Sequence, residues 1–294
     1  SIQESQRAIA IYGRQVDAGG RPGPELQGAY VEALATLAST HAVMGEVGEA
    51  EAWFARAREA AGAGRMSPAL GLVRYFENFL WMVQGRWAES ERAMAALLDE
   101  VGKFKFPFAR SGIALWLGRA KIHLGRAEEG LRLVEEASAE RERIGQRLLL
   151  SMNHIARAEG LRSLGRREEA LAATRDAREA ARGAGEEATG LLAREREARI
   201  LCEMAEPGGL RPRAESYEEV LGQLERLGMR PEWARGRKRL AAWLGRLGEE
   251  ARAEAMGREA RQYLASIGAL DAEAELASVS WEAGRPSGVA AESK

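Results

Sequence analysis

The sequence predicts an all-α chain, a right-handed α-solenoid of about six helix-turn-helix repeats, each with a period of about 40 residues. Three observations carry that reading. Four stretches align without a gap: Met44-Gly45-Glu46-Val47-Gly48-Glu49-Ala50, Gln84-Gly85-Arg86-Trp87-Ala88-Glu89-Ser90, Leu124-Gly125-Arg126-Ala127-Glu128-Glu129-Gly130 and Leu164-Gly165-Arg166-Arg167-Glu168-Glu169-Ala170. Their glycines stand at the evenly spaced positions 45, 85, 125 and 165, the mark of a repeat architecture. All eight prolines (22, 24, 68, 107, 207, 212, 231 and 286) fall at joints of this scheme or in the tail, and none sits in a helix interior, where proline costs about 3 kcal/mol. No segment sustains the period-2 alternation of a strand.

Along the chain, residues 1–18 read as one helix, the second helix of a repeat whose first is missing. Residues 19–282 hold the repeats. In each, the glycine of the aligned turn ends the first helix, because glycine adopts the left-handed conformation without steric cost. The acidic pair that follows suits the N-terminus of the second helix. Ser67-Pro68 reads as an N-cap followed by a first-turn proline. A further copy, Leu247-Gly248-Glu249-Glu250-Ala251, stands slightly more than two periods beyond Gly165. That spacing implies an intervening unit with a longer turn at Glu206-Pro207-Gly208-Gly209-Leu210-Arg211-Pro212. Residues 271–282 read as a terminal capping helix, giving 14 helices in all, and 283–294 as a polar, disordered tail. These ends, with Ser1 in place of a methionine, fit a fragment.

Stacked helices that cross closely need small side chains. The columns Ala38, Asn78, Gly118, Ala158 and Ala50, Ser90, Gly130, Ala170 are small, and Ala57, Leu97, Ala137, Ala177 is mostly so; Phe54, Met94 and Val134 are the bulkier fillers. Helix pairs of this kind are too thin to bury their own apolar faces and must stack. Two columns depart from the pattern. Glu77 and Arg157 stand where Leu37 and Leu117 stand in other units, and Arg74 and His154 occupy another normally apolar column.

Composition excludes several functions. At 46% hydrophobic and 30% charged the chain is no disordered tail. Its 43 basic and 44 acidic residues lack the positive field of a dedicated nucleic-acid binder. A single cysteine, Cys202, and three histidines exclude a disulfide framework or a cysteine-rich zinc site. The longest apolar stretches, such as Phe79-Leu80-Trp81-Met82-Val83, are too short to span a bilayer. With no secretory signal pattern, a cytoplasmic setting is expected, without membrane or nucleic-acid partners. The only Gly-Lys, Gly102-Lys103, precedes Phe104 rather than the Ser or Thr of a P-loop. No nucleophile, base and orienting group suggest a triad, and His41, His123 and His154 lack metal-ligand spacing. Cys202, beside Ile200 and Leu201, reads as a buried apolar residue. The run Arg235-Gly236-Arg237-Lys238-Arg239 reads as a solvated face, with phosphate contact as the alternative. No catalytic residue, metal or cofactor is expected.

The Leu-Gly-Arg-x-Glu-Glu-Ala turn with its small flanking residues resembles the tetratricopeptide repeat, with a period of about 40 in place of the usual 34 or so. The long form is similar to the repeat region of bacterial STAND-type signalling ATPases, including maltose-regulon-activator-like proteins and ATPase-linked cyclases or kinases. Leu227-Gly228-Met229-Arg230-Pro231-Glu232-Trp233-Ala234 and Ile267-Gly268-Ala269-Leu270-Asp271-Ala272-Glu273 resemble the last repeats of such proteins. The resemblance implies a non-catalytic sensor or interaction module that binds a protein, a peptide or a small-molecule effector.

In such a stack the first helices line the concave side. The repeat columns there are Ala35, Tyr75, Leu115, Ile155; Ser39, Phe79, Arg119, Glu159; and Ala42, Met82, Ile122, Arg162. They outline an apolar patch of Tyr75, Phe79, Met82, Leu115 and Met152, edged by Arg119, His123, Glu159 and Arg162. This set suits a ligand or peptide groove. The helix from Ser67 to Gln84 is also apolar nearly all round, which suits burial on both sides instead. The aromatics of Lys103-Phe104-Lys105-Phe106-Pro107-Phe108 could plug the groove, pack under the next helix or mark an interface. Two functions stay open: a sensor with an open groove, and a passive scaffold or homodimerisation module without a small ligand.

Overall fold

The computed structural model describes residues 2–17, 24–62, 68–102, 107–147 and 149–269. Among them are thirteen α-helices, one 3-10 turn and no strand. Six antiparallel pairs follow an N-terminal helix α1 (Ile2–Asp17): α2 (Pro24–Met44) with α3 (Val47–Ala61), α4 (Pro68–Val83) with α5 (Trp87–Gly102), α6 (Pro107–His123) with α7 (Ala127–Arg143), α8 (Leu150–Ser163) with α9 (Arg167–Ala184), α10 (Glu187–Glu203) with α11 (Leu210–Arg226), and α12 (Arg230–Arg246) with α13 (Glu250–Ser266). The 3-10 turn Pro207–Gly209 lengthens the turn inside the fifth pair, where the sequence spacing placed it. The 271–282 capping helix, the 283–294 tail and the aromatic loop at 103–106 lie outside the described residues.

Each repeated turn is built the same way. Gly45 has φ +84°, and Glu46 N donates to His41 O at 2.9 Å, closing the end of α2. Gly85, Gly125, Gly165 and Gly248 repeat the positive φ. Pro24, Pro68 and Pro107 open α2, α4 and α6, where the missing N–H breaks no helical bond.

The small columns sit at the crossing inside each pair. A Cβ on Gly118 would lie 2.6 Å from Gly130 O, and one on Gly130 would run into Gly118 O. Backbone therefore packs on backbone between α6 and α7. In the preceding pair the same crossing is polar, with Ser90 Oγ donating to Asn78 Oδ1 at 2.5 Å, both residues wholly buried. Three of the four residues in the anomalous columns form ion pairs with a neighbouring helix. Glu77 pairs with Arg58 of α3, Arg74 with Glu100 of α5 at 3.6 Å, and Arg157 with Glu135 of α7 at 3.5 Å.

Helical-repeat stacks make contacts mainly between neighbouring repeats. Here the last pair also meets the first two, across a seam. Gln84 Nε2 donates to Ile267 O at 3.2 Å, and Arg235 Nη2 donates to Val83 O. Pro231 and the Tyr263 hydroxyl lie over Gly45, so close that a Cβ at 45 would overlap that oxygen. Val83 belongs to the same apolar cluster as Trp233, Leu264 and Ile267, with Val43 and Val47 packed against it. The stack thus winds until its end touches its beginning, and the first helices of the repeats enclose an interior.

Candidate functional site

That interior is polar. From successive first helices come Arg119 (α6), Glu159 (α8), Glu195 and Arg196 (α10), and Glu232, Arg235 and Arg239 (α12). Arg119 grips Glu159 with two bonds, Nε to Oε2 at 2.8 Å and Nη2 to Oε1 at 3.0 Å. Arg196 Nε donates to the same carboxylate at 3.0 Å, its Nη1 to Glu195, and its Nη2 to Glu232 at 3.2 Å. Arg239 and the Tyr217 hydroxyl both donate to Glu195, at 3.1 and 2.5 Å. Arg235 joins Glu232, at 3.2 Å, to the seam carbonyl of Val83. A neighbouring set, Arg162, Glu203 and Arg199, spans α8 and α10 with contacts of 3.4 and 3.0 Å. The result is a ladder of arginine–carboxylate contacts, bidentate at Arg119–Glu159, the strong form of this interaction, and single-bonded elsewhere, with Arg196 spread over three carboxylates.

Burial alone would neutralise these carboxyls. It pushes Glu159 up, but Arg119 and Arg196 outweigh it and hold the group well below the ordinary range. Glu232 is opposed by burial and pulled down to about 2 by Arg196 and Arg235. Glu195 is lowered in the same way by Arg196 and Arg239. Burial works against the Arg196 charge too, yet its three acids hold its pKa well above the normal guanidinium value. Tyr217 is driven well up by burial and by the Glu195 charge, so its hydroxyl stays a donor. These glutamates are clamped anions, unlike the near-neutral carboxyls that acid–base catalysis uses.

The residues singled out from sequence divide into two groups. Met82, Arg119, His123 and Glu159 come together. Met82 Sδ lies 3.7 Å from Arg119 Nη1, and the His123 ring stacks on Trp87 at 3.9 Å with Nε2 3.4 Å from Glu159. Arg162 joins the adjoining set through Glu203. Tyr75, Phe79, Leu115 and Met152 pack instead in or against one apolar core. Trp116 Nε1 donates to the Tyr75 hydroxyl at 3.0 Å, the Phe79 ring meets Trp116 edge-on at 5.2 Å, and Leu115 is wholly buried. Arg119 and Glu159 are themselves only 8% and 6% exposed, so the inner face is closed rather than an open trough.

The sequence columns do not reach Glu195, Arg196, Tyr217, Glu232, Arg235 and Arg239. Those columns keep a strict spacing of 40, whereas α8 starts at Leu150 and α10 already at Glu187. At that shorter step, Glu159 continues to Arg196 and Arg162 to Arg199. The basic run at 235–239 is not a solvated face. Arg235 and Arg239 enter the ladder, and Arg237 lies over Trp233 at 4.9 Å while pairing with Glu259. Among the described residues no helix is long and apolar enough to cross a membrane, and no group of three acidic, histidine or cysteine side chains could hold a metal ion.

The chain is a tetratricopeptide-like α-solenoid. Its structure overlays on that of a Rap protein complexed with competence and sporulation factor, with a TM-score of 0.67 over 91% of this chain and 82% of the other, at 11% identity. Aspartyl phosphate phosphatase F from Bacillus subtilis gives 0.60 at 12% identity, over 83% of this chain, which spans 62% of that protein. A STAND protein with a tetratricopeptide repeat sensor from Pyrococcus horikoshii gives 0.45 at 16% identity, over 82% of this chain and 37% of the other. No family model matches the sequence, and no curated protein matches it. At these identities the first two overlays speak for the fold alone, and the third carries no argument.

Proposed function

We propose that this chain is a non-catalytic interaction module of a bacterial signalling or regulatory protein, working in the cytoplasm, that receives a peptide or protein segment in the interior of its stack. The observation that carries this reading is the ladder. Six arginines and four glutamates from four successive first helices, with Met82 and His123 at one end, give an enclosed surface rich in directional donors and acceptors. A solenoid of the same fold has been solved in complex with competence and sporulation factor, which supports a binding use here. Because Arg235 ties the ladder to the seam, a ligand that takes over ladder contacts would also loosen the closure and change the pitch of the stack. A bound segment could bias an attached domain through that change. The residues proposed to meet the ligand first are Arg162 and His123, the more exposed members of the set, at 24% and 23% side-chain exposure.

The test is selection of random short peptides on the full chain, followed by calorimetric titration of the enriched sequences. Arg162→Ala should weaken binding while the chain stays folded, with only a small fall in melting temperature because Glu203 keeps Arg199. Enriched peptides that bind this variant as well as the parent would remove the interior from consideration. The burial of Arg119 and Glu159 favours a second reading, a passive scaffold whose interior is structural. On that reading no peptide is enriched.

A further inference from the structure

Outside the interior, a groove of about 810 Å³ lies between the second helices α9 and α11, floored by the N-terminal half of α10. A smaller groove of about 350 Å³ lies over α6, two repeats earlier in the stack. The pair forms an internal control. Over α6 the charges balance, Arg110 and Arg143 against Glu136 and Glu140. Over α10 five arginines meet three glutamates. The change is in register: Leu98 and Ala114 of the earlier groove become Arg178 and Arg194 two repeats on.

Arginines from three helices converge here, Arg182 from α9, Arg194 from α10 and Arg226 from α11. Arg194 donates to the neutral Gln223 at 2.6 Å. Arg182 meets Glu179 only at 4.0 Å, with both side chains about four-fifths exposed, a pair of negligible strength. Arg226 makes no ion pair among the described residues. The acids are partly engaged elsewhere. Glu186 accepts from Ser151 of α8; Glu197, outside the lining, holds Arg178 at 2.6 Å and meets Arg175 at 3.9 Å, which leaves Arg182, Arg194 and Arg226 as the arginines the groove offers a ligand. Between the arginines the wall is apolar, with Leu191 and the exposed Leu227.

We propose that this groove is a second docking surface, independent of the interior, for an acidic segment of a protein partner that carries an apolar residue between its carboxylates. The carboxylates meet Arg182, Arg194 and Arg226, and the apolar residue covers Leu191 and Leu227. Arginine forks suit carboxylates, and charge of one sign in a concave site steers the opposite sign toward it.

The probe is a fluorescein-labelled Asp-Glu-Leu-Asp-Glu peptide, titrated onto the full chain by anisotropy, with Asn-Gln-Leu-Asn-Gln as its uncharged counterpart and a dT12 oligonucleotide as a competing polyanion. The acidic peptide should bind saturably, more weakly as salt rises, and the uncharged one should not. The double variant Arg182→Glu/Arg226→Glu should weaken binding at least about tenfold, while Arg182→Lys/Arg226→Lys retains most of it. Both positions are exposed, so the melting curve should not move. Any of four results overturns the proposal: no saturable binding, equal binding of the uncharged peptide, unchanged binding to the charge-reversed variant, or dT12 binding as tightly as the peptide. Loss of binding on Arg162→Ala in place of the groove variants would assign the peptide to the interior and likewise refute the second surface.

Discussion

Replacing Arg196 by Met tests whether the ladder holds the stack together. Arg196 is 6% exposed and contacts three carboxylates on three helices, Glu159 of α8, Glu195 of α10 and Glu232 of α12. Methionine fills much of the volume but removes the charge. Breaking a buried ion pair from one side costs roughly 3–5 kcal/mol, because the surviving ion is left desolvated. Each carboxylate here keeps another arginine: Arg119 for Glu159, Arg239 for Glu195 and Arg235 for Glu232. The loss should therefore sit at the lower end, about 3 kcal/mol. That is a large part of the ~5–15 kcal/mol typical of a folded domain, and about 5 °C in melting temperature for a chain of this length. Urea titration at pH 7, read by far-ultraviolet circular dichroism, measures it directly. Arg196→Lys, which restores the charge without the planar fork, should recover part of the loss. An Arg196→Met protein within about 1 kcal/mol of the parent would show that the ladder stabilises nothing.

Three other outcomes follow from the same geometry. Gly130→Ala drives a methyl into the carbonyl of Gly118 and should cost about 1–3 kcal/mol by scanning calorimetry, as overpacking does; a neutral result would mean that α6 and α7 do not cross there. Lowering pH should destabilise the fold in a defined window. Glu232, Glu195 and Glu159 have folded pKa values below their unfolded ones, so their contribution is complete above about pH 4.5 and is lost as pH falls toward the folded values, about 2 for Glu232. Glu232 alone accounts for on the order of 3 kcal/mol, and equilibrium unfolding that showed flat stability from pH 5 to pH 2.5 would contradict the ladder. Tyr263→Phe should be neutral or stabilising by up to about 1 kcal/mol, because the Tyr263 hydroxyl is buried at the seam with no hydrogen-bond partner among the described residues; a clear loss of stability would show that the hydroxyl is bonded after all.

The architecture was legible because solenoids repeat their physics. One glycine position, an acidic residue just after it and two small columns mark each turn and each crossing, and an even spacing makes them visible four times over. Gly118 and Gly130 mark a close crossing by composition alone, since only small residues allow it. The interior was less legible for two reasons. The step from α8 at Leu150 to α10 at Glu187 is shorter than the earlier ones, so the column carrying Arg119 and Glu159 loses its register just before Arg196. In addition, an arginine or glutamate on a helix looks the same in sequence whether it meets solvent or another chain segment. Arg239 meets Glu195 of the neighbouring α10, and Arg235 reaches Val83 only because the stack curves far enough to bring α12 there. That closure is a property of the accumulated twist of six pairs and leaves no local mark. Tyr75, Phe79 and Leu115 share the inward-facing columns, yet they pack around Trp116, a residue outside those columns.

The seam is the claim on which the enclosed interior, and hence the ladder's burial, depends. Cross-linking tests it most directly. In the double variant Met44→Cys/Gly228→Cys the two positions face each other across the seam, since a Cβ at 228 lies 3.4 Å from Met44 Cε. The native Cys202 does not interfere, because it is buried and burial pushes its thiol up to about 12, far from the reactive range. A short bis-maleimide added to dilute protein at pH 7 should convert nearly every chain to an intramolecularly bridged species, one linker per chain by intact mass, with both single variants taking up linker at one end only. Chains that each carry two singly attached linkers, or that bridge only to other chains, would mean that the last repeat stands away from the first and that the superhelix is open.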